Sequence, residues 1–140
     1  MEEALTPKEY LEACLVTESI DEYQIKQRML SPEMYRILHA AMGLVTEAGE
    51  VLDMLKKHIY YGRDLDLVNI EEELGDLNWY QSIMIDALNK LGHETDLDTI
   101  LDKNVKKLQK RYVGSFTSDK AINRDLDAER KILEGSDEDK

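Results

Sequence analysis

From Met34 onward, apolar residues recur at alternating steps of four and three, through Leu38, Ala41, Val45, Ala48, Leu52, Leu55 and Ile59. That spacing holds all eight positions on one face of an α-helix, whereas a strand would scatter them over both faces. Ser31-Pro32 supplies the start signal, an N-cap hydroxyl followed by a proline at the first helical position, and Tyr61-Gly62-Arg63-Asp64 reads as the turn that ends the helix. Beyond the turn, Ile70, Leu74, Leu77, Met84, Leu88 and Leu91 mark a second long helix that stops at Gly92. Two long antiparallel helices therefore dominate the chain.

The flanks carry the same punctuation. Thr6-Pro7-Lys8-Glu9 combines an N-cap, a first-turn proline and a capping-box glutamate, predicting a helix to about Lys26. Thr95-Asp96-Leu97-Asp98 reads as another capping box and opens a further helix, lined by Leu101, Val105, Leu108 and Tyr112 and broken at Val113-Gly114-Ser115. A charge-rich segment from Ser118 to Glu134 predicts a fifth helix, and residues 135–140 read as a disordered acidic tail. With 7 Gly, 2 Pro and 9 aromatics in 140 residues, a sandwich or barrel is excluded. The expected fold is all-α, a four- to five-helix antiparallel bundle in one domain over 1–134 with its core at 31–112. Helices this amphipathic leave an apolar face on one subunit, so a homo-oligomer is expected.

Charge narrows the partners. The net charge of −12 opposes nucleic acid and anionic membrane surfaces, and the longest uncharged runs are about half a membrane span. Cys14 is the single cysteine, which excludes an internal disulfide, and Met1-Glu2-Glu3 lacks the basic start of a signal peptide. A soluble cytoplasmic protein is the expectation.

The chemistry lies in acids that the core does not require. Glu47 and Glu50, and Glu73 and Asp76, are each spaced i and i+3, about 60° apart on one helix face. The two pairs stand at nearly equal chain distance from Gly62, so folding the hairpin brings them to the same level. Four converging carboxylates repel one another unless a cation sits among them. An oxygen-only ligand set favours Mg²⁺ or Mn²⁺, and no Glu-x-x-His di-iron signature is present. Asp53 extends the first pair by three residues and is a candidate aid to a second ion, whereas Glu71 and Glu72 read as solvated. Gly49 and Gly75 interrupt the same helices, each costing about 1 kcal/mol against alanine, which close approach of a helix or ligand would explain. On the fourth helix, Asn104, Lys107 and Arg111 share one face and offer a point charge and a bidentate fork to an anion. Trp79 and Phe116 are candidates to stack on a base, and Lys56, Lys57 and His58 suit the C-terminal dipole of their helix.

The run from His39 to Tyr112, with E-A-G-E, then E-E-E-L-G-D-L-N-W-Y, then K-N-V-K-K-L-Q-K-R-Y, resembles the MazG-like branch of the all-α nucleoside triphosphate pyrophosphohydrolases. The resemblance implies hydrolysis of (deoxy)nucleoside triphosphates between the α and β phosphates, giving a monophosphate and pyrophosphate. Glu47, Glu50, Glu73 and Asp76 fall on the family's Mg²⁺ ligands. Lys107 and Arg111 match the residues near the phosphates, with Asn104 beside them and Tyr80 near the sugar or base. The resemblance also implies a homodimer or homotetramer whose sites are completed across the subunit interface. It leaves the general base open, since Thr46 stands where some relatives carry a further acid. The alternative from another class is a non-catalytic helical interaction or regulatory protein.

Overall fold

The computed structural model describes residues 5–135; the acidic stretches Met1–Glu3 and 136–140 lie outside the described residues. Seven helices and no strand occur among the described residues: α1 (Pro7–Val16), α2 (Glu22–Met29), α3 (Pro32–Tyr61), α4 (Leu67–Lys90), α5 (Leu97–Arg111), α6 (Ser118–Ile122) and α7 (Leu126–Glu134). The α3–α4 hairpin is the principal packed unit, α2 rests on α3, and α5 packs on α7. None of these helices is long and apolar enough to cross a membrane.

The predicted start signals operate as physical caps. The hydroxyl of Thr6 accepts from the Glu9 N–H while the Glu9 carboxylate accepts from the Thr6 N–H at 2.8 Å, closing a capping box. Ser31 accepts from the Met34 N–H at 3.0 Å. Asp66 caps α4 in the same way without having been predicted, and α5 starts one residue later than the expected capping box from Thr95, with Asp96 as its N-cap. Gly62 ends α3 with φ +67, a left-handed conformation that glycine adopts without a Cβ clash.

Two long segments divide where one helix each was expected. The segment to Lys26 breaks after Val16: the Thr17 hydroxyl turns back to the Cys14 carbonyl at 2.8 Å, and Asp21 starts α2 by accepting from the Gln24 N–H at 3.0 Å. Short polar side chains here compete with the helix for its own backbone groups. The segment from Ser118 likewise splits into α6 and α7, because Asp125 caps the Ala128 N–H at 3.0 Å.

The face of α3 that meets α4 is also not the periodic stripe. Ala40 and Gly43 are buried, flanked by half-buried Ile37, Leu44, Glu47, Val51 and Met54. The stripe faces outward instead, with Val45 73%, Leu52 67% and Ile59 65% exposed. Small residues permit the closer helix approach, so the hairpin forms on them. Ala40 and Ala87 are the only buried apolar residues among those described, and the chain exposes 11622 Å². A compact protein of 16.2 kDa exposes about 7,500 Å². Much of its apolar surface therefore has no cover within the subunit.

Candidate metal and phosphate site

Glu47 projects from α3, and Glu73 and Asp76 from α4, into one group in which one carboxylate oxygen from each lies within 4.8 Å of the other two. The hairpin delivers this convergence because each helix carries its acids about the same distance from Gly62. Glu73 is the innermost, only 5% exposed, and Asp76 faces solvent. Glu50 is exposed and outside the closest group, yet its charge still acts on Glu73. Burial lifts the Glu73 carboxyl above its ordinary range, and repulsion from Glu50 and Glu47 raises it further.

Asn69, one turn earlier on α4, donates through Nδ2 to Glu73 Oε1 at 3.1 Å and also meets Met54 Sδ at 3.3 Å. It ties the buried acid to Met54 of α3. The i, i+4 spacing of Asn69 and Glu73 was available in the sequence as a signal for this support. Thr46 donates its hydroxyl to the Gly43 carbonyl at 3.0 Å, so its side chain supports the helix beside Glu47. An oxygen-only set, Glu47 and Asp76 around the buried Glu73, fits a hard divalent cation, whose charge would offset the mutual repulsion of the three acids.

Asp53 does not join this group. Lys56 and Lys57, both on its own helix, pair with it and lower its carboxyl to about 2. Gly49 and Gly75 do not mark a close approach within the subunit, since a Cβ on either meets nothing within 4 Å. The close approach is at Gly43, where a Cβ would overlap the ring of Tyr80. Tyr80 stacks edge-on with Trp79 at 4.8 Å and with His39 at 5.6 Å, forming a half-exposed aromatic corner along the hairpin from the acids. Phe116 is exposed and lies 5.3 Å from the Tyr112 ring.

On the basic face of α5, Arg111 is already engaged by another carboxylate. Asn104 is exposed and Lys107 half-buried, but Arg111 closes a bidentate pair with Glu129 of α7, Nε to Oε1 at 2.8 Å and Nη2 to Oε2 at 2.7 Å. Arg124 adds a second guanidinium to the same carboxylate at 2.7 Å. Glu129 is 4% exposed, and the two arginines hold its carboxyl down at about 2. Neither Glu129 nor Arg124 was legible as a partner, because a spacing of 18 residues across two helix breaks has no periodic signature.

A family profile described as the MazG nucleotide pyrophosphohydrolase domain matches residues 37–116, which is 80 of the 140 residues and includes all four acids and the α5 basic face. The chain is also 35% identical over 80 residues to the Gene 37 protein of Mycobacterium phage L5. That alignment covers 52% of this chain and 63% of the phage protein's length. No solved structure matches. With a convergent carboxylate group on α3 and α4 and a profile that spans more than half of the residues, the chain belongs to the MazG nucleotide pyrophosphohydrolase domain family.

Proposed function

We propose that the protein hydrolyses (deoxy)nucleoside triphosphates between the α and β phosphates, releasing a nucleoside monophosphate and pyrophosphate in a nucleotide-pool housekeeping role. The convergence of Glu47 and Asp76 on buried Glu73 carries this reading, because a chain has no stability reason to bury one acid beside two others. Glu47, Glu73 and Asp76 would hold Mg²⁺, with Mn²⁺ as substitute, and Glu50 would be the fourth ligand. A bound divalent ion supplies Lewis-acid charge neutralisation and an oriented, more acidic water.

The remaining work belongs to side chains. Glu47 serves as the acceptor for the proton of the attacking water in this reading. Lys107 and Arg111 grip phosphate oxygens and stabilise the charge that builds on departing pyrophosphate, with Asn104 beside them. Tyr80 and its aromatic neighbours border the sugar or base. The domain extends over 1–134, and the protein works in the cytoplasm without nucleic acid or membrane partners.

Oligomerisation is part of the proposal. The outward stripe Val45, Leu52 and Ile59 needs an apolar partner surface, and a second copy of this chain presents the same stripe. A homodimer or homotetramer built on it also allows α5 of one subunit to serve the carboxylates of another. The Arg111–Glu129 pair favours the second reading, a non-catalytic helical regulatory protein, because it occupies the residue meant for phosphate. Product analysis over a panel of canonical and modified triphosphates separates the two. Release of pyrophosphate in Mg²⁺, abolished by chelation, is the expected result; orthophosphate as primary product, or no product from any triphosphate, overturns it.

A further inference from the structure

Helix α7 lies beyond the residues matched by the family profile, yet it carries the carboxylate that occupies Arg111, the last arginine within the matched residues. Both oxygens of Glu129 are taken: Arg111 binds them through its fork, and Arg124 approaches the same two at 2.7 and 3.4 Å. Arg111 is 15% exposed on its side chain, so two guanidinium groups are held together by one buried acid. Alongside runs a cavity of about 180 Å³, rimmed also by Lys110, Lys120 and Asn123. Four cations against Asp125 and Glu129 make this a locally positive place in a chain of net charge −12.

A carboxylate and a phosphoryl group present the same two-oxygen edge to a guanidinium fork. We infer that Glu129 is a resident anion in a two-arginine clamp, and that the phosphate tail of the substrate or the pyrophosphate product displaces it to bind Arg111 and Arg124 together. This makes Arg124 a phosphate-binding residue, and it rests on the proposed role of Arg111. The displacement has a mechanical route. Helix α7 has nine residues, too few to persist alone, and Arg124 sits in the break between α6 and α7 where the chain can turn. Glu129 then returns to water as the incoming phosphates take over its hydrogen bonds. A clamp closed by Glu129 about nine-tenths of the time weakens the apparent phosphate affinity about tenfold.

The test uses inorganic pyrophosphate and the full-length protein in chelator, followed by calorimetry and by hydrogen exchange. Glu129→Gln is expected to bind pyrophosphate about tenfold more tightly than wild type, and Arg124→Gln more weakly. In wild type, pyrophosphate should speed amide exchange across Leu126–Glu134, an effect opposite to ordinary ligand protection. Unchanged or slower exchange in α7 overturns the clamp, including in the case that Glu129→Gln does not fold. So does a folded Glu129→Gln with unchanged or weaker affinity. Arg111→Gln separates the two levels: if it leaves pyrophosphate affinity unchanged, the phosphate role of Arg111 itself fails. If it weakens affinity while Glu129→Gln and Arg124→Gln change nothing, only the clamp fails.

Discussion

The ring of Tyr80 on α4 occupies the space that a Cβ on residue 43 of α3 would need, so the two long helices touch over Gly43. Gly43→Ala must push the ring aside, an overpacking cost of about 1–3 kcal/mol that outweighs the gain of about 1 kcal/mol in helix propensity. Chemical denaturation should show a net loss. Gly49→Ala and Gly75→Ala meet no atom within 4 Å and should instead stabilise the metal-free protein by about 0.5–1 kcal/mol. A loss at either of these two positions would mean that another subunit packs against it.

Glu73 holds its proton more tightly in the folded chain than its ordinary value of 4.5 implies. Its ionisation therefore opposes folding: the penalty is absent below 4.5 and complete once pH exceeds the raised folded-state value. At neutral pH, Glu73→Gln should raise the Tm of the chelated protein and remove activity. Millimolar Mg²⁺ should raise the Tm of wild type and leave that of Glu73→Gln nearly unmoved. Glu50→Gln should follow the same pattern with smaller shifts, because Glu50 is exposed. Equal Mg²⁺ shifts in all three proteins would eliminate the carboxylate site.

The Glu129 carboxyl has the opposite sign. Its folded-state value is lowered from 4.5 to about 2 by Arg111 and Arg124, so its ion pair stabilises the chain fully above 4.5 and fades as pH falls through about 2. The stability difference between wild type and Glu129→Gln should be flat from neutral pH down to 4.5, then shrink on further acidification. Urea titrations of both proteins at matched pH would measure it. A difference that persists unchanged at the acid end would assign the effect to packing.

Arg111→Ala should lower kcat/KM for pyrophosphate release by on the order of 10²-fold, the usual consequence of removing a preorganised charge donor. Steady-state assays on folded variant protein, verified by circular dichroism, provide the measurement. An unchanged kcat/KM would leave Arg111 with only its contact to α7.

Placing a charge on the outward stripe should break the assembly. Leu52→Glu is expected to shift the protein to smaller species by analytical ultracentrifugation and to lower its Tm, since Leu52 is 67% exposed in the lone subunit and gains cover only from a partner. Val68, on α4 and 78% exposed, is outside the proposed stripe, and Val68→Glu serves as the control. Identical behaviour of the two variants would remove the stripe from the interface.

Local rules were enough for the helical class, the caps at Thr6 and Ser31, and the turn at Gly62, because each depends on a few neighbouring residues. They were also enough to bring Glu47, Glu73 and Asp76 to one level, since the rise of a helix is constant and the acids are spaced evenly about the turn. The breaks at Thr17 and Asp125 went unforeseen although their signals are local, because a single polar side chain must outcompete helix propensity on both sides of it. Tertiary packing decided the rest. Helix α3 has two usable faces, and the small residues Ala40 and Gly43 won over the larger apolar stripe because they let Tyr80 and α4 approach closely. That choice buried Glu73 and left Glu50 in solvent, a distinction invisible in two identical i, i+3 spacings. The pairing of Arg111 with Glu129 likewise arose only when α7 folded back on α5, because a charge carries no sequence mark of the distant partner that will neutralise it.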